Sequence, residues 1–218
     1  MKYPPLLAAA LLVAWSSLGA AQGSGGSTVV AHLEWEAGLP AGSTPRLVAL
    51  RRDPPDGAQL PRGLEGALYA ELELADGWLT LALEPDRDDP RLWVDQDLDG
   101  DLAEERNTAL SREASAFTRS QVVRVPYEGE SDPVPLELKW TLVVGGAQPR
   151  LSVQLAMYRR GAVVLAGRLR PVAVVDGNSD GRFDDPELDR IYVDCDGDGE
   201  LQAGGDRDER VAPGQPFR

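Results

Sequence analysis

Hydrophobic and polar residues alternate along most of the chain beyond residue 28, the pattern of strands with one buried face. Clusters of Gly, Pro, Ser and Asp separate these stretches. Two tripeptides, Ala75-Asp76-Gly77 and Arg159-Arg160-Gly161, are predicted to turn hairpins. Helical periodicity is weak, and residues 102–115 are the one candidate helix. The predicted strands are 29–36, 46–50, 68–74, 78–83, 92–94, 122–127, 136–144, 151–158, 163–169, 172–175 and 191–193.

This pattern predicts a mainly β fold, an antiparallel sandwich or open barrel. An internal repeat suggests two related halves. Residues 91–102 (RLWVDQDLDGDL) align with residues 190–201 (RIYVDCDGDGEL) without a gap. We therefore expect a first β half over 29–120 and a second over 121–218, each with a strand that runs directly into an acidic loop.

The first 21 residues have the features of a secretory signal peptide. A short charged start, Met1-Lys2, precedes an apolar stretch, and Gly19-Ala20-Ala21 offers a small-residue cleavage site. Residues 22–28 are rich in Gly and Ser and predict a flexible lead-in. No later segment is long and apolar enough to span a membrane. The sequence therefore predicts a secreted or periplasmic protein.

The chain is acidic, with 36 Asp and Glu against 22 Lys and Arg and a formal net charge of −14. This balance argues against nucleic acid as a partner. The acids are concentrated, because residues 84–105 hold 10 acids and 2 bases and residues 176–209 hold 13 acids and 3 bases. With one Cys and one His, the chain can form no internal disulfide and no site built from several Cys or His ligands.

The spacing within the acidic segments is that of calcium ligands. In Asp-x-Asp-x-Asp-Gly, alternate side chains converge on one point around a tight turn, and Gly permits the backbone to reverse. The middle loop fits this pattern best, with oxygen ligands at positions 1, 3 and 5 and Gly at position 6. Its predicted ligands are Asp176, Asn178, Asp180, the carbonyl of Arg182, Asp184 through water, and Glu187 as the bidentate closing group.

The first and third loops begin in the same way but lack an acid at position 12. In the first loop Glu105 is the expected closing ligand, with Glu104 as the alternative; in the third it is Asp206, brought round by two glycines. The predicted ligands of the first loop are Asp95, Asp97, Asp99, the carbonyl of Asp101, and Glu105. Those of the third loop are Asp194, Asp196, Asp198, the carbonyl of Glu200, and Asp206.

The three loops resemble EF-hand-type calcium loops, as found also in dockerins and thrombospondin type 3 repeats. The resemblance covers about 12 residues in each loop. Helices flank an EF-hand loop, whereas a predicted strand enters each loop of this chain, which argues against a calmodulin-like opening. The run VAVVDGNSDGRFDD…IYVDCDGDG is also similar to exported bacterial proteins in which strands alternate with calcium loops. The resemblance implies two to three bound Ca2+ ions and no particular reaction.

Two functions remain open from the sequence. The favoured one is a non-enzymatic exported protein in which Ca2+ stabilises a β domain that binds an envelope protein or a glycan. The alternative is a secreted calcium-dependent hydrolase, or an accessory domain of one. The single histidine, His32, and the lack of a Ser/His/Asp order favour the first.

Overall fold

The computed structural model describes residues 31–38, 43–86, 88–127, 131–165, 167–202 and 209–211. These residues form strands and turns without a helix, so nothing in them could cross a membrane as a helix. The strands make three antiparallel sheets, and none of the three closes into a barrel. The predicted fold class is confirmed, and the arrangement is consistent with a mainly β sandwich.

The strands are numbered in chain order. They are β1 (His32–Ala37), β2 (Arg46–Leu47), β3 (Leu68–Leu74), β4 (Gly77–Glu84), β5 (Arg91–Val94), β6 (Thr108–Ala109), β7 (Ser111–Glu113), β8 (Ala116–Val125), β9 (Val134–Val143), β10 (Arg150–Leu155), β11 (Met157–Leu165), β12 (Arg168–Val175), β13 (Arg190–Val193) and β14 (Arg210–Val211).

The chain folds into two compact units. Of the described residues, the first unit comprises 31–38, 43, 157–165, 167–177, 183–202 and 209–211, and the second comprises 44–86, 88–127, 131–156 and 178–182. These boundaries are not those of the two sequence halves, since β8 crosses residue 120 within one sheet. The relation between the halves stays a prediction.

The first unit is built on one sheet with the strand order β1-β11-β12-β13-β14. Alternate residues of these strands are apolar, so they share one face and pack together as a core. The buried members of this core are Ala31, Leu33, Val163, Val172, Val174, Ile191 and Val193.

The second unit contains two sheets, ordered β2-β10-β9-β8-β7 and β3-β4-β5-β6. Strand β9 shows how the sequence pattern produces burial. Its residues alternate between buried and half-buried positions, and the Trp140 ring lies on the buried side with no exposed surface. Leu79, Leu81 and Leu83 of β4 are likewise fully buried.

One of the two predicted hairpin turns is confirmed and the other is wrong. Ala75 and Asp76 join β3 to β4, and Ala75 has the positive φ of 49° that a tight turn requires. Residues 159–161 instead lie inside β11, where they pair with both β1 and β12. Arg159 pairs with Trp35 of β1 and Val174 of β12, and its guanidinium lies over the Trp35 ring, 4.6 Å from the centroid.

The candidate helix over residues 102–115 is also wrong. This segment forms turns and the short strands β6 and β7. The predicted strand 163–169 is divided, since β11 ends at Leu165 and β12 begins at Arg168 after Gly167, whose φ is 76°. In both segments, antiparallel pairing with the neighbouring strand outweighs the predicted pattern, since β7 pairs with β8 and Leu165 pairs with Arg168 across the turn.

A three-strand arrangement occurs once in each unit. β4 and β5 in the second unit have 8 and 4 residues, as do β12 and β13 in the first, and β6 and β14 follow them as third strands. The first two strands pair in the same register, with Leu81 opposite Val94 and Val172 opposite Val193. In both cases the acidic loop lies between the second and third strands, so the repeat seen in the sequence has a structural counterpart.

Candidate metal centres

The first acidic loop follows β5 and begins with a buried carboxylate. Asp95 has no exposed surface, and its backbone N–H donates to the Thr80 carbonyl of β4 at 3.0 Å. Its carboxylate accepts hydrogen bonds from the backbone N–H groups of Asp99 at 3.2 Å and Gly100 at 2.9 Å. Burial raises the pKa of the Asp95 carboxyl, while these backbone donors oppose the rise.

The loop backbone brings the next two acids to Asp95. Leu98 and Gly100 have φ angles of 61° and 83°, in the left-handed region that turns the chain around the carboxylates. One oxygen each from Asp95, Asp97 and Asp99 lies within 4.8 Å of the other two. These three residues therefore form an acidic cluster that could hold a metal ion.

Glu105 connects the end of the first loop to its beginning. Its carboxylate accepts the backbone N–H of Gln96 at 2.8 Å and the side-chain amide of Gln96 at 2.5 Å. Asp101 uses its carboxylate to accept the Ala103 N–H at 2.8 Å. Glu104 is exposed, and the charges of Asp99 and Asp97 raise the pKa of its carboxyl.

The third loop follows β13 and repeats this construction. Asp194 is buried, and its N–H donates to the Pro171 carbonyl of β12 at 3.1 Å. Its carboxylate accepts the N–H groups of Gly197 and of Gly199, the latter at 3.1 Å. Gly197 and Gly199, at the same loop positions as Leu98 and Gly100, have φ angles of 85° and 86°.

The closing acid of the third loop is Glu209, which is not among the predicted ligands. Its carboxylate accepts the N–H of Cys195 at 2.6 Å and that of Gln202 at 3.1 Å. One oxygen each from Asp194, Asp196 and Glu209 lies within 4.8 Å of the other two, so this second acidic cluster could also hold a metal ion.

The other predicted ligands of the third loop lie around this cluster. Asp198 is exposed, and its carboxylate accepts the Glu200 N–H at 2.8 Å and the Gln202 side-chain amide at 2.9 Å. Asp206 lies outside the described residues. Cys195 is exposed as a residue, and partial desolvation of its thiol together with the charges of Glu209 and Asp194 raises its pKa.

The part of the middle loop that belongs to the first unit is organised by Asp189. This buried carboxylate accepts the N–H of Gly177 at 3.0 Å and that of Asp185 at 2.8 Å. It therefore accepts the backbone N–H at loop position 2, as Glu105 and Glu209 do in their loops. The predicted closing residue Glu187 is exposed, and its N–H donates to the Asp185 carboxylate at 2.8 Å.

Two other predicted ligands of the middle loop belong to the same unit, and they differ in burial. Asp176 directly follows β12 and is buried, whereas Asp184 is exposed. Next to Asp184, Phe183 packs against the core of the first unit, and its ring lies edge-on to Trp35 with centroids 5.5 Å apart.

Residues 178–182, with the predicted ligands Asn178, Asp180 and Arg182, belong to the second unit. The Asn178 side-chain amide donates a hydrogen bond to the Asp180 carboxylate at 2.9 Å. The Asp180 carbonyl accepts the Ala75 N–H at 2.7 Å, and Arg182 forms an ion pair with Glu73 at 3.0 Å. This segment is therefore attached to the β3–β4 hairpin. Metal binding by the middle loop stays a prediction.

Ser179 attaches the same segment to other parts of the second unit. It is buried, with a φ of 59°, and its hydroxyl donates to the Thr44 carbonyl at 3.1 Å. The hydroxyl oxygen also accepts the Leu155 N–H at 3.1 Å. Gly181 adds a further bond, since its carbonyl accepts the Tyr127 hydroxyl.

Comparison with known proteins does not assign these clusters. No family model matches the chain, and no significant match was found among curated proteins or solved structures. A function must therefore be inferred from the geometry of the two clusters and from their donor atoms.

A sequence pattern that places the last ligand near loop position 12 misses Asp189 and Glu209. Both lie immediately before a strand, β13 and β14 respectively. Glu105 has a similar place ahead of β6. In all three loops, the acid that accepts the position-2 N–H lies shortly before the next strand.

Proposed function

We propose that the protein is an exported calcium-binding protein in which Ca2+ stabilises a β domain that acts as a binding or structural module. One observation carries the proposal. In the first and third loops a buried aspartate begins the loop, and a later glutamate returns to accept the backbone N–H at position 2. The first loop does this with Asp95 and Glu105, and the third with Asp194 and Glu209.

The donor atoms favour calcium over other metals. Both clusters present carboxylate oxygens, and the sequence offers one Cys and one His. Ca2+ accepts about six to eight oxygens at about 2.3–2.6 Å and tolerates irregular geometry. Zn2+ and Cu2+ favour nitrogen or sulfur ligands, and Mg2+ demands a stricter octahedron. A cluster of carboxylates on an irregular loop suits Ca2+ best.

The benefit to the fold follows from the charges. Without a cation, each cluster holds three carboxylates whose oxygens lie within 4.8 Å, and one or two of them are buried. Such groups repel each other and are poorly solvated. Since Ca2+ binds the folded loops, each site adds about 2.7 kcal/mol of stability when Ca2+ exceeds its Kd about 100-fold. Each site would raise the Tm of the unit that contains it by about 5–10 °C.

The test is thermal unfolding of the protein expressed without residues 1–21, in EDTA, in millimolar Ca2+ and in millimolar Mg2+. We expect a large rise in Tm with Ca2+ and a much smaller one with Mg2+. The variant Asp97→Asn/Asp196→Asn should lose most of the rise, because it removes one exposed carboxylate from each cluster. A matched control, Asp53→Asn/Asp56→Asn, makes the same charge change at exposed positions outside the loops and should keep it.

Equal Tm values in EDTA and Ca2+ would refute the proposal. The export part is tested separately, by expressing the full chain in a bacterial host and determining the N-terminus of the product in each cell fraction. We expect mature protein that begins at Gln22 outside the cytoplasm. Full-length protein retained in the cytoplasm would contradict export without affecting calcium binding.

A further inference from the structure

An arginine lies against the third loop, at a position that a leucine has beside the first loop. Arg170 of β12 places its Nη1 atom 3.6 Å from the Asp194 carboxylate. Both side chains are largely buried, with 16% of Arg170 and 3% of Asp194 exposed. The aspartate that begins the loop is therefore paired with a cation belonging to the chain itself.

The loop is shaped to admit this guanidinium. A Cβ atom added at Gly197 would lie 2.0 Å from Arg170 Nη1 and 2.9 Å from its Cζ. Any other residue at this position would push the arginine away. Gly197 also has a φ of 85°, which is open to glycine at little cost.

In the first loop, leucines occupy the two positions that Arg170 and Gly197 have in the third. Aligning the strand pairs β4–β5 and β12–β13 by their shared register places Leu79 at the position of Arg170. Leu79 is fully buried. Leu98 has the position of Gly197, and its side chain packs over Gly77, since a Cβ there would lie 2.5 Å from Leu98 Cδ2. Of these two aligned positions, the one beside the third loop therefore carries a positive charge and the one beside the first loop is apolar.

We propose that Arg170 is a built-in counter-ion that competes with Ca2+ for the third loop and makes it the weaker, more readily emptied site. The inference rests on the proposed function, because it concerns how one of the calcium loops is regulated. The guanidinium lowers the attraction of the Asp194 carboxylate for Ca2+, and a bound divalent cation repels the nearby positive charge. When Ca2+ leaves, Arg170 neutralises Asp194 and limits the disruption of the loop.

The experiment follows each loop separately by NMR in the 15N-labelled protein. The amides of Gly100 and Gly199 donate to Asp95 and Asp194, so each reports the binding of Ca2+ in its own loop. In the unsubstituted protein we expect Gly199 to respond at higher Ca2+ than Gly100. In Arg170→Met the Gly199 midpoint should fall about tenfold, and the Gly100 midpoint should not change.

Two further variants separate pairing from net charge and folding. Arg168→Met makes the same charge change at an exposed position on β12 and should leave both midpoints unchanged. Gly197→Asn keeps the arginine but displaces it, and Asn tolerates the left-handed backbone. It should lower the Gly199 midpoint in the same direction, and it provides the test if Arg170→Met does not fold.

The outcomes distinguish failure of the inference from failure of the proposed function. If Gly199 responds to Ca2+ with a midpoint that neither Arg170→Met nor Gly197→Asn lowers, the inference is overturned and the proposed function stands. An equal drop in Arg168→Met would also overturn it, since general charge would then explain the effect. If Gly199 does not respond to Ca2+ in any variant, calcium binding by the third loop fails and the inference fails with it.

Discussion

The side chain of Leu102 joins the first acidic loop to the core of the second unit. It is fully buried at loop position 8, and its N–H donates to the Gln59 carbonyl at 2.9 Å. Replacing a fully buried leucine by alanine costs about 2–5 kcal/mol through lost burial and a residual cavity. We take about 3 kcal/mol for Leu102→Ala, which corresponds to a fall in Tm of about 6–12 °C. The residues that line the cavity are Leu64, Ala67, Tyr69, Ala82 and Trp93.

The third loop supplies the matched control for this prediction. Leu201 has the same loop position but is only half-buried, against the cluster of Ala173, Val175 and Tyr192. Leu201→Ala should therefore cost about 1 kcal/mol, or about 2–4 °C. Calorimetric unfolding of both variants in EDTA gives the comparison without a contribution from bound metal. Equal falls in Tm, or a fall below about 2 °C for Leu102→Ala, would refute the assigned core role.

Two further predictions concern groups that hold the loops. Glu105→Gln should weaken Ca2+ binding at the first loop by at least about tenfold by calorimetric titration, because a closing carboxylate is lost; the exposed neighbour Glu104→Gln should change the affinity far less, and comparable losses would contradict the assignment. Ser179→Ala should reduce the free energy of unfolding in urea by about 1–3 kcal/mol, because the buried Leu155 N–H loses its acceptor; a change below about 0.5 kcal/mol would show that this bond is dispensable.

Local pattern was sufficient for much of the fold. The alternation in β9 and the Ala75-Asp76 turn depend on neighbouring residues, so they can be predicted from short windows. Arg159 shows the limit of such windows. Two arginines and a glycine in sequence indicate a turn, but Arg159 lies in β11 and pairs with Trp35, which is distant in the chain.

The residues of the candidate sites could likewise be predicted only in part. The acids at positions 1, 3 and 5 follow from the spacing of a single turn, and the structure brings Asp95, Asp97 and Asp99 together. The position of the closing acid depends on the number of residues between the loop and the next strand. That number differs between the loops, so Glu209 could not be found by counting from Asp194. Arg170 was likewise beyond reach, since its approach to Asp194 depends on the pairing of β12 with β13.

The link between Glu209 and β14 has a consequence for the behaviour of the protein in solution. Glu209 immediately precedes β14, whose described residues Arg210 and Val211 pair with β13. The Glu209 carboxylate accepts the N–H groups of Cys195 and Gln202, so it ties this edge of the sheet to the loop before it. If that attachment is lost, β13 presents unpaired backbone donors and acceptors, which are a template for another chain. Glu209→Ala is therefore expected to favour edge-to-edge aggregation at high protein concentration, which light scattering would detect.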